Sequence, residues 1–277
     1  MTQFKDKVAI VTGGGSGIGQ ALCEELGRRG STVVVSDINL EGAEIVAKSI
    51  SDAGGKSVVK KLDVTIAKDV EELVGEIATD FGRIDYMFNN AGIGVGGETY
   101  TLELEDWKKI IDINLYGVLH GIIPAYSLMV KQGFGHIVNI SSLCGLVPVP
   151  IKTSYTTTKF ALVGLSTALR AEGEDLGVKV SVVCPGFVRT PFYESAHFPK
   201  VDSSVRDNFF GMLPQMFSTP EEAAAETLKG VANNKAVIVF PFRSRLLWWA
   251  YRIWPKLYNP IAVKTVNNFR IVSKKTE

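Results

Sequence analysis

The sequence predicts an α/β fold in a single domain, a doubly wound parallel sheet with helices on both faces. Three observations carry that prediction. Short β-branched runs alternate with longer stretches of helical pattern, the order expected of parallel strands joined by crossover helices. The first run passes directly into a glycine-rich turn that opens a helix. The 277 residues are 46% hydrophobic and 21% charged, enough for one sizeable core.

In chain order, KVAIVT at 7–12 is the first strand, followed by a helix through Arg29. STVVVSD at 31–37 precedes a helix near 41–53, and SVVKKLDV at 57–64 precedes one near 67–81. RIDYMFNNAG at 83–92 leads through a loop to a long helix near 105–131. GHIVNIS at 135–141 precedes a helix near 153–176, and VKVSVVCPG at 178–186 follows it. SDAGG and AEGEDLG supply the glycines expected after helix ends. Residues 1–240 form the expected domain, and 241–277 a basic, aromatic extension.

Composition narrows the function classes. Cys23, Cys144 and Cys184 are odd in number and scattered, which suggests no disulfide framework and no zinc spacing and makes a reducing, cytoplasmic setting the default expectation. The chain enters a strand pattern at once, so no secretory signal is expected. His120, His136 and His197 have no metal-ligand spacing, and no metal is expected. The sequon at Asn139 ends an apolar run that reads as a buried strand, and is discarded. The formal net charge is +1, but residues 241–277 hold eight Lys or Arg and one acid, so they carry +7 and the rest −6.

The turn Thr12-Gly13-Gly14-Gly15-Ser16-Gly17-Ile18-Gly19 is suited to a dinucleotide. Glycines admit a pyrophosphate close to the backbone, and the helix start offers unpaired N–H groups. Asp37, eighteen residues beyond Gly19, ends the second strand, where a carboxylate can accept from an adenosine ribose and repel a 2′-phosphate. No Lys or Arg stands at Ser16, Ile38 or Asn39, so NAD is favoured over NADP. A helix N-cap is the rival role for Asp37. Tyr155 and Lys159 stand four apart and share a helix face, where a cation can favour the phenolate; a solvated surface pair has the same spacing.

These residues together resemble the short-chain dehydrogenase/reductase family over roughly residues 5–240. The carriers are TGGGSGIG at 12–19, Asp63-Val64, Asn89-Asn90-Ala91-Gly92, Asn114, Ser142, Tyr155 with Lys159, and Pro185-Gly186 followed by Thr190. The resemblance implies a Rossmann-type sheet and an oxidoreductase that moves a hydride between NAD(H) and a secondary alcohol or ketone. It implies that Tyr155 is the general acid or base and that Lys159 lowers the tyrosine pKa and binds the nicotinamide ribose. Ser142, selected over Ser141 by the family's spacing to the tyrosine, would hold the substrate oxygen, and Asn114 a water linking the lysine to solvent. Gly13, Gly15, Ser16, Gly17, Ile18, Gly19 and Asp37 are the expected cofactor contacts on the adenosine and phosphate side. Asp63 and Val64 border the adenine, and Asn90, Ala91 and Gly92 steady the sheet beneath the cofactor. Pro185, Gly186, Val188 and Thr190 flank the nicotinamide, whose carboxamide Thr190 fixes. Thr156, Thr157 and Thr158 depart from the small residue the family usually carries between tyrosine and lysine, a change read as tolerated.

By the same resemblance two segments wall the substrate side. One is Leu143–Ile151; the other follows Gly186 and contains Phe187, Phe192, Tyr193, Phe198, Phe209, Phe210, Met212, Leu213, Met216 and Phe217. The expected substrate contacts are Ser142, Cys144, Val149, Tyr155, Phe187, Phe192 and Tyr193. Their apolar character leans toward a bulky hydrophobic substrate, such as a sterol, retinoid or lipid-like alcohol. An NADP-dependent carbonyl reductase and a non-catalytic nucleotide-binding regulator are the alternatives. The family also implies a homodimer or homotetramer built through the helices near 105–131 and 153–176. RSRLLWWAYRIWPKLY at 243–258 joins aromatic residues to cations; on one helix Arg245, Arg252 and Lys256 would share a side, with Pro255 kinking or ending it. That segment suits peripheral membrane contact or packing over the substrate loop or a partner subunit. No nucleic-acid motif accompanies it.

Overall fold

The computed structural model describes residues 2–201 and 217–274. Phe209, Phe210, Met212, Leu213 and Met216, expected on the substrate side, lie outside the described residues. Seven parallel strands form one sheet: β1 (Val8–Thr12), β2 (Thr32–Asp37), β3 (Lys56–Lys61), β4 (Tyr86–Asn89), β5 (Gly135–Ile140), β6 (Val178–Pro185) and β7 (Val237–Phe240). Their spatial order is β3-β2-β1-β4-β5-β6-β7. β1 pairs with β2 on one side and β4 on the other, Val11 lying opposite Val35 and Phe88. The winding therefore reverses between β1 and β4, and a crevice opens at the carboxyl ends of these strands.

β1 reads as an unbroken apolar run because both of its faces are covered, and all five of its residues are buried. On one face α1 (Gly17–Arg28), α2 (Leu40–Asp52) and α7 (Pro220–Ala232) close a core around Leu22, Leu26, Val35 and Phe88. On the other, α3 (Ala67–Phe81), α5 (Gly117–Gln132) and α6 (Thr153–Gly173) close a second core around Ile10, Ile77, Met87 and Ile137.

The long helix expected near 105–131 is interrupted. α4 (Leu104–Ile111) passes through a π-helical turn, Asp112–Tyr116, before α5 begins. Such a turn inserts one residue and rotates the helix beyond it, and here it carries Asn114. The run Leu104–Gln132 is long and apolar enough to cross a membrane, but Ile110, Val118, Ile122, Ala125 and Met129 are spent on the core. The sequence reading names no element between 186 and 240, where α7 and β7 lie. α7 carries a start signal, a capping box in which Thr219 accepts from Glu222 N and Glu222 accepts from Thr219 N, with Pro220 in the first turn.

In the extension, α8 (Phe242–Ile253) ends before Trp254 and Pro255 opens α9 (Pro255–Lys274). The three cations expected on one helix side are therefore divided. Lys256 belongs to α9, and Arg245 turns inward, donating to Val239 O at 2.5 Å and pairing with Glu226 at 3.7 Å. The extension packs on the body. Tyr258 donates to Pro148 O at 2.5 Å, Phe269 and Val272 cluster with Ile151, Ala196 and Phe198, and Arg270 pairs with Glu98.

Candidate active site

A cleft of about 340 Å³ opens at the strand ends where the winding reverses. Its floor is the glycine turn. Gly13 and Gly17 take φ of +63° and +55°, a region costly for side-chain-bearing residues. A methyl group at Gly19 would come within 1.9 Å of Gly13 O, so the helix start can press onto the turn only without one. Ser16 stands at the N-cap of α1 and makes no side-chain cap bond. A glycine cradle facing a helix N-terminus is a donor set for an anion, and the residues present fit the pyrophosphate of a dinucleotide.

Asp37 rims the cleft at the end of β2, its Oδ2 accepting from Gly15 N and its Oδ1 from Asn39 N, both at 2.9 Å. The N-cap of α2 is Asn39, which accepts from Gly42 N at 3.3 Å, so the rival role for Asp37 is filled by its neighbour. Asp63 is held by Thr65 N and Thr65 Oγ1, and with Val64 it lines the same end of the cleft. Thr12 and Asn90 lock the turn to the end of β4. Asn90 Nδ2 donates to Thr12 O and Gly13 O, while Thr12 Oγ1 accepts from Asn90 N and Ala91 N.

At the other end lie Ser142, Tyr155 and Lys159. α6 delivers the last two from adjacent turns of one face, as the spacing predicts. Ser141 and Ser142 point to different work. Both line the cleft, but Ser141 is buried and donates to Lys159 O, whereas Ser142 is half-buried, accepts from Cys144 N and engages the Tyr155 phenol. Asn114 is buried, its amide matched to the Ile93 backbone by Nδ2–H donation to Ile93 O and acceptance from Ile93 N. A methyl group at Gly92 would sit 3.2 Å from Asn114 Oδ1 and 3.7 Å from Lys159 Nζ, so both side chains converge there.

The electrostatics differ from expectation. Lys159 Nζ donates to Ile140 O at 2.9 Å and lies 5.4 Å from the centroid of the Tyr155 ring. Burial pulls the lysine down from 10.5 to about 8, and burial pushes the Tyr155 phenol well above its usual value, against the pull of Ser142. The one pull that lowers the tyrosine comes from Ser142 rather than from the lysine, and desolvation drives both groups toward their neutral forms.

Pro185, Gly186, Val188 and Thr190 line the cleft from the end of β6 and the loop after it. A methyl group at Gly17 would meet Thr190 at 3.2 Å, so this loop lies close against the glycine turn. Of the expected substrate contacts, Phe192 and Tyr193 border the cleft, and the Phe192 ring is tilted against Tyr155 with centroids 5.7 Å apart. Cys144 packs in the cluster that holds Tyr155. Val149 and Phe187 do not line the cleft. The Val149 backbone is tied to the Thr156 hydroxyl, and the Phe187 ring packs on Tyr193 and Phe217. His197 is at the surface beside Asp106, 3.3 Å away. Ile38, Leu62, Ile93, Ile113, Ile140, Ser141, Pro191 and Ser195 line the cleft beyond the expected contacts. Ile38 and Leu62 are chain neighbours of Asp37 and Asp63, and that adjacency was their available signal.

Comparison with known proteins agrees with this architecture. The short chain dehydrogenase family model matches residues 7–198. A cyclohexanol dehydrogenase from an Acinetobacter species is 36% identical over 223 residues, 80% of this chain and 86% of its own. The putative oxidoreductase SadH of Mycobacterium tuberculosis is 32% identical over 272 residues, 97% of this chain and 98% of its own. A short-chain dehydrogenase/reductase from Burkholderia phymatum, solved in complex with NAD, superposes with a TM-score of 0.85 at 25% identity, covering 93% of this chain and 96% of that one. With a parallel sheet wound in this order, a glycine cradle at the reversal and Tyr155 and Lys159 on one helix face beside Ser142, the chain belongs to the short-chain dehydrogenase/reductase family of oxidoreductases.

Proposed function

We propose that the protein is an NAD-dependent dehydrogenase or ketone reductase acting on a bulky, hydrophobic secondary alcohol or its ketone. The observation that carries this reading is the convergence of Ser142, Tyr155 and Lys159 on one cleft whose substrate side is closed by Phe192 and Tyr193. The glycine turn, Asp37, Asp63, Val64 and Asn90–Gly92, with Pro185–Thr190 at the other end, would hold a nicotinamide dinucleotide, which would supply or accept the hydride. In reduction the Tyr155 hydroxyl donates its proton to the substrate oxygen; in oxidation the phenolate takes that proton back. Ser142 donates to the same oxygen where negative charge develops, which lowers the barrier in either direction. Lys159, pulled to about 8, exchanges a proton near neutral pH and can restore the one Tyr155 spends. Asn114 holds the Gly92–Ile93 turn from which that relay is reached.

Aromatic walls and few fixed charges support an apolar substrate, and the cyclohexanol dehydrogenase relative acts, by its name, on a cyclic secondary alcohol. Asp37 supports NAD. Lys61 favours the NADP reading, because it is the register partner of Asp37 on β3 and shares its face. Unpaired Cys23, Cys144 and Cys184 suit a reducing, cytoplasmic setting. Exposed Tyr116, Ile123 and Phe160 on the helical layer of α5 and α6 suit a homo-oligomer. The test is turnover of a panel of sterols, retinoids, long-chain and cyclic alcohols with NAD and with NADP. Activity on an apolar alcohol with NAD, reduced about 10²–10⁴-fold by Tyr155→Phe, is the expected result. Turnover unchanged by Tyr155→Phe would overturn the assignment.

A further inference from the structure

α8 is apolar on two opposite sides. Its inner side, Ser244, Trp248 and Tyr251, packs toward the body, where Trp248 and Tyr251 join Leu146, Val182 and Val239. On the outer side Phe242, Leu246, Trp249 and Ile253 follow spacings of four, three and four, which aligns them within about 60° on the helix. Trp254 at the break and Leu257 and Ile261 on α9 are exposed apolar side chains as well, and all seven are 54–68% exposed. A helix on a water-facing surface ordinarily turns polar residues outward.

Charge identifies the occupant. Arg243 and Arg252 stand about 80–100° to either side of the outer stripe, and Lys256 and Lys264 follow on α9. Residues 242–274 contain no Asp or Glu. Two copies paired through this face would bring like charges together. An apolar stripe with a tryptophan at its centre and arginines at its edges matches an acyl–headgroup boundary that carries negative charge. We propose that this face docks the protein on an anionic lipid bilayer, with α8 lying in the plane of the interface. The same extension braces Pro148 through Tyr258, and Ile151, Ala196 and Phe198 through Phe269 and Val272. Docking thus brings both substrate-walling segments near the lipid into which an apolar alcohol partitions, a consequence that rests on the substrate reading above. The docking itself does not rest on it.

The experiment uses the full chain and vesicles of phosphatidylcholine, with and without phosphatidylglycerol, read by cosedimentation and by tryptophan quenching with brominated acyl chains. The expected result is binding at least about tenfold tighter to the anionic vesicles, weakened by salt. The double variant Leu246→Glu/Trp249→Glu should lose at least about tenfold in binding, since a charge must enter the interface at two positions. Arg243→Gln/Arg252→Gln should lose about tenfold or more on anionic vesicles alone. All these side chains are exposed, and circular dichroism and the unfolding midpoint report that the variants remain folded. Failure of the parent chain to bind anionic vesicles, or equal binding by Leu246→Glu/Trp249→Glu, overturns the proposal. So does a dimer that this double variant dissociates while the parent chain ignores lipid. Each result is read without turnover, so a wrong substrate assignment leaves the test intact.

Discussion

Replacing Lys159 with methionine should abolish turnover and stabilise the fold. The lysine is 4% exposed, and burial pulls it from 10.5 to about 8. At pH 7 it is charged in both folded and unfolded chains, and the shift corresponds to a charging penalty of about 3 kcal/mol in the fold. Methionine has a similar length and removes that penalty. It leaves Ile140 O without its donor, which costs about 1 kcal/mol, so the net gain is about 2 kcal/mol. For a chain of this size the gain raises the melting temperature by roughly 4–8 °C. Its pH dependence has a definite sign. Below pH 8 the penalty is present in full. Between about 8 and 10.5 the folded chain releases the proton while the unfolded chain keeps it, so the parent protein gains stability and the gap to the variant closes. Cys184, raised from 9.0 to about 12, and Tyr155, raised above 10.0, slope the other way at high pH in both proteins and largely cancel in the difference. Urea midpoints of parent and Lys159→Met from pH 7 to 10 make the measurement. A variant less stable at pH 7, or a gap that does not change with pH, would refute the claim that burial dominates this lysine.

Two further outcomes separate positions that the sequence sets side by side. Ser142→Ala should reduce kcat by about 100-fold, far beyond what the loss of its bond to Cys144 N explains, while Ser141→Ala should cost about 1 kcal/mol of stability through its lost bond to Lys159 O, measured by steady-state kinetics and urea unfolding. Asp37→Ala should raise the KM for NAD by about tenfold or more, because it removes both the hydroxyl acceptor and the bond that orders Gly15; an unchanged ratio of NAD to NADP turnover would refute the cofactor reading.

The legible part of this molecule is the part fixed by the backbone. β1 to β6 follow the apolar runs because strands covered on both faces have no room for a polar side, and the glycine turn is written in residues that only its own φ angles and close approaches require. The spacing of Tyr155 and Lys159 translates directly into a shared helix face. Side-chain direction translates less well. Val149 and Phe187 sit in the expected segments yet do not line the cleft, the Phe187 ring packing on neighbouring aromatic rings, and nothing in an apolar loop sequence distinguishes wall from backing. The π turn at Asn114 has no residue-type signature of its own; its inserted residue turns the following apolar pattern by about 100°, a shift that the packing reveals and the composition does not. α7 and β7, for which no element is expected above, do carry signals, Thr219-Pro220-Glu221-Glu222 and Val237–Phe240.

The Tyr155–Lys159 pair could be found in the sequence, but the sign of its electrostatics could not, because that sign depends on burial and on where an ammonium points. Lys159 has taken the Ile140 carbonyl as its partner, 2.9 Å away, rather than the phenol. Burial drives both members toward neutrality. A neutral tyrosine is already the acid that ketone reduction needs, and a lysine near 8 can restore the tyrosine's proton without a large uphill step at neutral pH. Alcohol oxidation asks for the opposite, a phenolate, and the site reaches it at the cost of the same desolvation. On the proposed reading, the desolvation that favours the neutral phenol makes oxidation the direction whose rate should rise more steeply with pH.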